Sequence, residues 1–440
     1  MTTFKIKTLG CKVNQYESQV IRERLIEAGH QEAEGAQVAD FCILNTCTVT
    51  VKADKECREI LRRFIRENPE ADVVAAGCYV EKDADIIRAI DPGIRVINNR
   101  DKENIVELLK DNKKIRSTQY SVKFLRSNGA GAILAYSTYG RQAAGRRDTN
   151  QGITYFKGHN KAFIKIQDGC NNFCSYCKVP HVRGRSRSRQ PENILKEAER
   201  LIDKGYKELI LTGVCLGDFG KDLNSGITLE GLIRGIISID NDFRLRLSSI
   251  EFPDVTDSLI DEITSSGKIC NHLHIPLQSG DDDILSKMNR GYTSMEFIKR
   301  VDFIRFKIPD IAITTDIIVG FPQEGVENFN NTLKTVEKIR PSRSHIFTYS
   351  PRKGTKAYEM SQTVSTQETK QRFKKLKAVT DNFSNEFRES VSKVSHRVLV
   401  ESARDKKTGK LTGYTDTYIR VLVDCPDEYI GKMIDYRFEL

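Results

Sequence analysis

The 440-residue chain lacks any apolar run approaching the length of a membrane span, and its mean hydropathy is −0.45. A bundle of lipid-crossing helices is therefore excluded. No secretory leader is expected either, because Thr2-Thr3-Phe4-Lys5-Ile6-Lys7 alternates as a strand does. We expect a cytoplasmic protein with no membrane partner. A disulfide framework is missing too, because the 11 cysteines are odd in number and the chain is too long for a stapled secreted domain. No second cysteine pair follows the one dense cysteine cluster, as a closed four-ligand zinc site would require. No acid–base dyad stands out, and neither His272 nor His274 is assigned such a role. The net charge of +10 permits a polyanionic partner without requiring one.

What is present is Cys170-Asn171-Asn172-Phe173-Cys174-Ser175-Tyr176-Cys177. Three thiolates at this spacing hold three corners of a four-iron cluster and leave the fourth iron open to a substrate or cofactor. A zinc knuckle, or chance clustering in a cysteine-rich chain, is the competing reading. A strand before the loop and a barrel after it favour the cluster.

Residues 1–115 read as an α/β domain. Strands are expected at Phe4–Leu9, Phe41–Thr46, Val73–Ala76 and Ile94–Ile97, with helices between them. The first helix is expected from Asn14, capped by Glu17 three residues on. Near-continuous apolar strands imply a parallel sheet covered on both faces. Cys11, Cys47 and Cys78 each follow a strand and precede a helix. In a parallel sheet those ends share one edge, where ligands bind. The three thiols should converge there, with helix N-termini favouring thiolate. Cys42 and Cys57 fall inside a strand and a helix, where packing alone accounts for them.

Residues 116–158 lose periodicity and read as a basic linker. From 159 to 375, six strand–helix units predict a partial (β/α)6 barrel whose active loops lie at the strand C-termini. The cysteine loop follows the first strand. The later strand ends carry Gly213, whose loop glycines admit backbone to a ligand, then Ser249 and Glu251, then Gln278. Glu251 suits a ribose hydroxyl or an ammonium. With Tyr176 in the cysteine loop, these are the candidate cofactor contacts. Arg183-Gly184-Arg185-Ser186-Arg187-Ser188-Arg189 lies beside the cluster, so Arg185, Arg187 and Arg189 are candidates for phosphate. Residues 376–440 read as a helix leading into a small β-barrel, with strands at Arg397–Val400, Gly413–Val423 and Lys432–Phe438. There Tyr414 and Arg420 combine a stacking face with charge, as single-stranded RNA binders do. Ordinary surface residues are the plainer account of that stretch.

The order of these parts resembles the radical S-adenosylmethionine methylthiotransferases over nearly the whole length. The resemblance rests on Thr8-Leu9-Gly10-Cys11-Lys12-Val13-Asn14-Gln15-Tyr16-Glu17, Asn45-Thr46-Cys47, Gly77-Cys78-Tyr79 and Gln167-Asp168-Gly169-Cys170. The tail resembles the TRAM domain, an RNA-binding barrel. Two positions depart from the family pattern: Cys215 stands where Asn or His is expected, and Phe252 separates Glu251 from Pro253. The resemblance implies two 4Fe-4S clusters and S-adenosyl-L-methionine as cofactors. Cys170, Cys174 and Cys177 would hold the cluster that activates S-adenosylmethionine for hydrogen abstraction from adenine C2. Cys11, Cys47 and Cys78 would hold the sulfur-bearing cluster. It implies a monomer served by an electron donor of flavodoxin or ferredoxin type and by a sulfur source. The substrate class implied first is N6-threonylcarbamoyladenosine beside the tRNA anticodon. Isopentenyladenosine of tRNA, a ribosomal-protein aspartate, and a non-catalytic metal-stabilised RNA-binding protein are the alternatives.

Overall fold

The computed structural model describes residues 2–110 and 152–438. The first unit is a five-stranded parallel sheet with strands β1 (Thr3–Thr8), β2 (Gln31–Glu32), β3 (Phe41–Thr46), β4 (Asp72–Gly77) and β5 (Arg95–Ile97). Their spatial order is β2-β1-β3-β4-β5. The apolar runs of β3 and β4 are buried on both faces because the sheet separates two cores. Cys42, Leu44, Val73 and Ala75 pack on one side, and Ile43, Val74 and Ala76 on the other.

The central unit begins with β6 (Ala162–Lys165), which leads into a short antiparallel pair, β7 (Gln167–Asp168) and β8 (Arg187–Ser188). β9 (Glu208–Thr212) and β10 (Arg244–Leu247) pair in parallel with β6 in the order β10-β9-β6. β11 (His272–His274), β12 (Ala312–Val319) and β13 (Arg343–Thr348) form a second parallel trio. Parallel bridges Leu245–Ile269 and Ser249–His274 join the trios into one curved sheet of six strands. The barrel stays open at β13, where Arg343, His345 and Phe347 are exposed. Alternation sorts the faces. Leu245, Leu247, Leu273, Ile313 and Ile317 enter the apolar core under the helices. Arg244, Arg246, His272, His274 and Thr314 occupy the alternate positions facing inward.

A 27-residue helix, Thr366–Ser392, runs into the tail. The tail is an antiparallel sheet of β14 (His396–Arg404), β15 (Leu411–Tyr414), β16 (Arg420–Val423) and β17 (Met433–Tyr436), ordered β16-β15-β14-β17. It curls enough for the Tyr436 hydroxyl on β17 to donate to the Leu422 carbonyl on β16 at 3.0 Å.

Three sequence expectations are corrected. The run Gly413–Val423 is two strands, since Tyr418 takes a left-handed φ of 64° and turns the chain. The first helix starts at Lys12, and Glu17 caps nothing. The Asn14 side chain instead donates to the carbonyls of Leu9 and Thr46. The linker expected over 116–158 lies mostly outside the described residues, but its end at 152–158 is built into the core. Ile153 and Phe156 are buried, and the backbone donates from Ile153 to Glu197 and from Thr154 to Glu23.

Candidate active site

The N-terminal cysteines sit after β1, β3 and β4, three adjacent strands, so all three turns lie on one sheet edge. Gly10 and Gly77 make the close approach possible. Both have positive φ, 105° and 114°. A Cβ on Gly10 would lie 2.9 Å from Cys47 Cβ, and one on Gly77 2.7 Å from the Thr46 carbonyl oxygen. Cys11 is exposed, while Cys47 and Cys78 are buried. Burial, with Cys78 and Cys11 nearby, pushes the Cys47 thiol up to about 11. In the protein by itself, burial thus favours the Cys47 thiol. A bound cation is what would favour the anionic sulfur. Cys42 and Cys57 are fully enclosed in the core, as packing predicts.

The second triad occupies the loop between β7 and β8. Gly169 (φ 75°) and Phe173 (φ 48°) turn the chain through left-handed conformations. Gln167 braces the loop by donating to the Gly169 carbonyl at 2.8 Å and to Ser186. Its Oε1 accepts from the backbone of Val214 and Cys215, which pins the Gly213 loop beside the cysteines. Burial pushes Cys177 up to about 12. Cys174 is raised by burial although Arg290 donates to it at 3.3 Å. Cys170 is lowered, chiefly by the Cys215 thiol beside it. The Sγ atoms of Cys215 and Cys170 and a carboxylate oxygen of Asp218 lie within 4.8 Å of one another. Neither triad is drawn together as ligands of a single ion would be. That fits a cluster, in which each thiolate takes a different iron. Donors also point at the sulfurs, with Asn172 N 3.4 Å from Cys170 Sγ and Asn99 Nδ2 3.8 Å from Cys78 Sγ. Such hydrogen bonds accompany sulfur-bound iron.

The two triads are locked to each other by residues that the sequence reading gave other roles or none. Arg183 is buried and donates to Glu17, Asp168 and Asn14. Lys165 and Lys102 reach Glu17 at 2.8 and 2.7 Å. Against burial, the charges of Arg183, Lys102 and Lys165 hold Glu17 well below the usual carboxylate range. Lys178 reaches Asp83 at 2.8 Å, and Asn99 Nδ2 donates to the Val182 carbonyl at the same distance. The segment just after the second triad is thus docked beside Cys78. Nothing in the sequence separates Arg183 from the other arginines of its basic run.

The remaining candidates divide. Tyr176 packs among Ile284, Met288 and Phe321 beneath the cysteine loop. Ser249 and Gln278 lie at strand ends bridged to His274 and Ile317, Gln278 with φ 64°. Glu251 is paired with Arg290, a partner that nothing near it in the sequence signals. Arg185 and Arg420 are exposed. Arg187 is half exposed and donates to the Arg183 carbonyl at 3.1 Å. Arg189 is turned inward onto Glu197 and Tyr16, so it frames the core instead of facing RNA. Tyr414 stacks on Tyr418, 5.2 Å between centroids, with Lys161 over its ring at 4.5 Å. It therefore lies against the barrel and not on an open surface.

Residues 164–336 match the Radical SAM superfamily, and residues 3–99 match the uncharacterized protein family UPF0004. The chain is 35% identical over 437 residues to the threonylcarbamoyladenosine tRNA methylthiotransferase MtaB of Bacillus subtilis, covering 99% of this chain and 93% of that one. The chain belongs to the radical S-adenosylmethionine methylthiotransferase family. MtaB of Chlamydia pneumoniae is 36% identical over 95% of this chain and 91% of its own. The tRNA-2-methylthio-N(6)-dimethylallyladenosine synthase of Clostridium tetani is 34% identical over 447 residues, covering 99% of this chain and 93% of that one. Among solved structures, the radical S-adenosylmethionine methyltransferase TsrM of Kitasatospora setae shares the fold at TM-score 0.57 and 15% identity, over 81% of this chain and 74% of that one. This methylthiotransferase therefore uses S-adenosylmethionine and a 4Fe-4S cluster, with the second cluster that its family carries.

Proposed function

We propose that this enzyme transfers a methylthio group to C2 of N6-threonylcarbamoyladenosine beside the anticodon of tRNA. The observation that carries the reading is the pair of cysteine triads on two units locked together through Arg183 and Glu17. Cys170, Cys174 and Cys177 hold one 4Fe-4S cluster, and Cys11, Cys47 and Cys78 the other. When bound, the first supplies the electron that activates S-adenosylmethionine, and the second supplies the sulfur.

The chain's own residues do the positioning. Gln167 fixes the Gly213 loop against the first triad. Arg290 ties Cys174 to Glu251. The Arg183 network holds the sulfur-carrying edge at a fixed distance from the radical site, as a step sensitive to ångström displacements requires. Tyr176, Gly213, Ser249, Glu251 and Gln278 border the cofactor, while Arg185, Arg187 and Arg420 face the RNA. The enzyme works as a cytoplasmic monomer, with a flavodoxin- or ferredoxin-type donor and a sulfur source. Two relatives named for the threonylcarbamoyl substrate match at 35% and 36% identity. The relatives named for dimethylallyladenosine lie close behind, the first of them at 34%, so that nucleoside is the second reading. Mass spectrometry of tRNA nucleosides from a deletion strain decides between them. Loss of the methylthio form of threonylcarbamoyladenosine is expected. Its persistence, with no paralogue present, overturns the proposal.

A further inference from the structure

Three units meet at the inward face of the open barrel, and their charges can be followed one by one. Glu208 on β9 is shared by Arg244 and Arg246 on β10, so the two guanidiniums have one carboxylate in direct contact. Lys161 is paired with Glu401 at 2.6 Å. Asp316 on β12 faces His274 on β11 at 3.3 Å. Lys12, one residue past Cys11, enters the same space from the N-terminal unit. It is only part-exposed, and among the described residues it has no hydrogen-bond or ion-pair partner. Its ammonium stands 6.0 Å from the Tyr418 ring centroid, at the outer limit of a cation–π contact. Tyr418 itself is occupied by Arg246 at 4.7 Å and by His272 at 4.8 Å. Lys12 lies near enough to His345 on the open strand β13, and to His272, to oppose their protonation. The Lys12 ammonium stands beside Arg246 and Lys161, and the nearby carboxylate, Glu208, is already shared by two arginines; a cation held so in a part-dry space is a receptor for an anion that the chain does not itself provide.

We propose that Lys12 reads the carboxylate on the N6 substituent of the target adenosine and is a specificity-determining residue of this enzyme. The proposal rests on the function given above and deepens it. Adenine C2 and the carbon bearing N6 flank the same ring nitrogen. A site that brings the sulfur held beside Cys11 to C2 must therefore pass the N6 substituent close by, and the next residue along the chain is Lys12. A threonylcarbamoyl substituent ends in a carboxylate and gives Lys12 its missing partner. A dimethylallyl substituent is hydrocarbon and would bury the ammonium unpaired. One residue thus favours the first substrate and penalises the second.

The test uses the holoenzyme and fluorescent anticodon stem-loops carrying one of three nucleosides beside the anticodon: N6-threonylcarbamoyladenosine, its threonyl methyl ester, or N6-dimethylallyladenosine. Wild type should bind the free acid on the order of 10- to 100-fold more tightly than the ester, the range expected for one charge-assisted hydrogen bond. Lys12→Met should erase that ratio, and Lys12→Arg should keep most of it. Equal weakening of all three stem-loops by Lys12→Met would mean that Lys12 holds an RNA phosphate, and the proposal fails. Equal binding of acid and ester by wild type overturns it without any variant. The function and the inference fail separately. Turnover of only the dimethylallyl stem-loop overturns the function and the inference with it. Turnover of the acid, with the acid-to-ester ratio intact in Lys12→Met, overturns only the role of Lys12.

Discussion

At the scale of single residues, the two triads carry different burdens and should fail differently. Cys174 is contacted by Arg290, which is itself paired with Glu251 in the cofactor loops. Cys174→Ala should abolish both cleavage of S-adenosylmethionine and methylthiolated product. Cys47 belongs to the other unit, on the far side of the Arg183 network. Cys47→Ala should leave cleavage measurable while product disappears. Chromatography of 5′-deoxyadenosine and of tRNA nucleosides from the same reaction reads both. Full product from Cys47→Ala would remove the N-terminal site. Metal analysis bears on the same point: anaerobically purified enzyme should hold about eight irons with matching sulfide, and about four would leave a single cluster.

At the scale of elements, the joint between the N-terminal sheet and the barrel is a buried charge cluster. Glu17 comes from the first helix, Lys165 and Asp168 from β6 and β7, and Arg183 from the turn after the cysteine loop. Removing one carboxylate strands buried cations. Glu17→Gln should therefore cost roughly 3–5 kcal/mol, read by denaturant unfolding. The pH dependence has a definite sign. Glu17 and Asp168 titrate below their ordinary values in the folded chain. Their contribution is thus complete above about pH 4–5 and is lost as pH falls through the depressed folded values. Acid should loosen this joint before the apolar cores of either unit. Hydrogen exchange at the residues flanking Arg183, compared with β3 and β4, follows the order of loss.

At the scale of the whole molecule, the tail is not a detachable module. Arg244 donates to the carbonyls of Arg397 and Tyr414, and Arg246 to those of Thr415 and Asp416. Deleting residues 391–440 would strip two buried guanidiniums of these acceptors, so the truncated chain should unfold at lower denaturant. Point changes test RNA contact more cleanly. Arg420→Ala should weaken tRNA binding modestly and reduce the salt slope by about 0.7 to 1. Arg185→Ala, beside the cysteine loop, should bind tRNA within a few-fold of wild type. It should lower product on the order of a hundredfold, because placement and not affinity is lost. Filter binding across a salt series, paired with product assays, separates the two effects.

The periodic elements and the placing of the cysteines were legible in the residue order alone. Strand and helix periods are local, and a thiol just past a parallel strand must lie on the ligand-binding edge. That reasoning reached Cys11, Cys47, Cys78 and the Cys170–Cys177 loop, and it separated Cys42 and Cys57 from them. It could not tell Arg183, which is buried, and Arg189, which is turned inward onto Glu197, from Arg185, which is exposed, because all belong to one basic run. It read Glu17 as a cap because the capping pattern is local, whereas its partners Lys102, Lys165 and Arg183 come from distant segments. Arg290, the partner of Glu251, lies 39 residues away in the chain and carries no local signal. These pairings exist only in the folded chain. The energy of a buried charge depends on which opposite charge stands beside it, and that neighbour is set by packing between units.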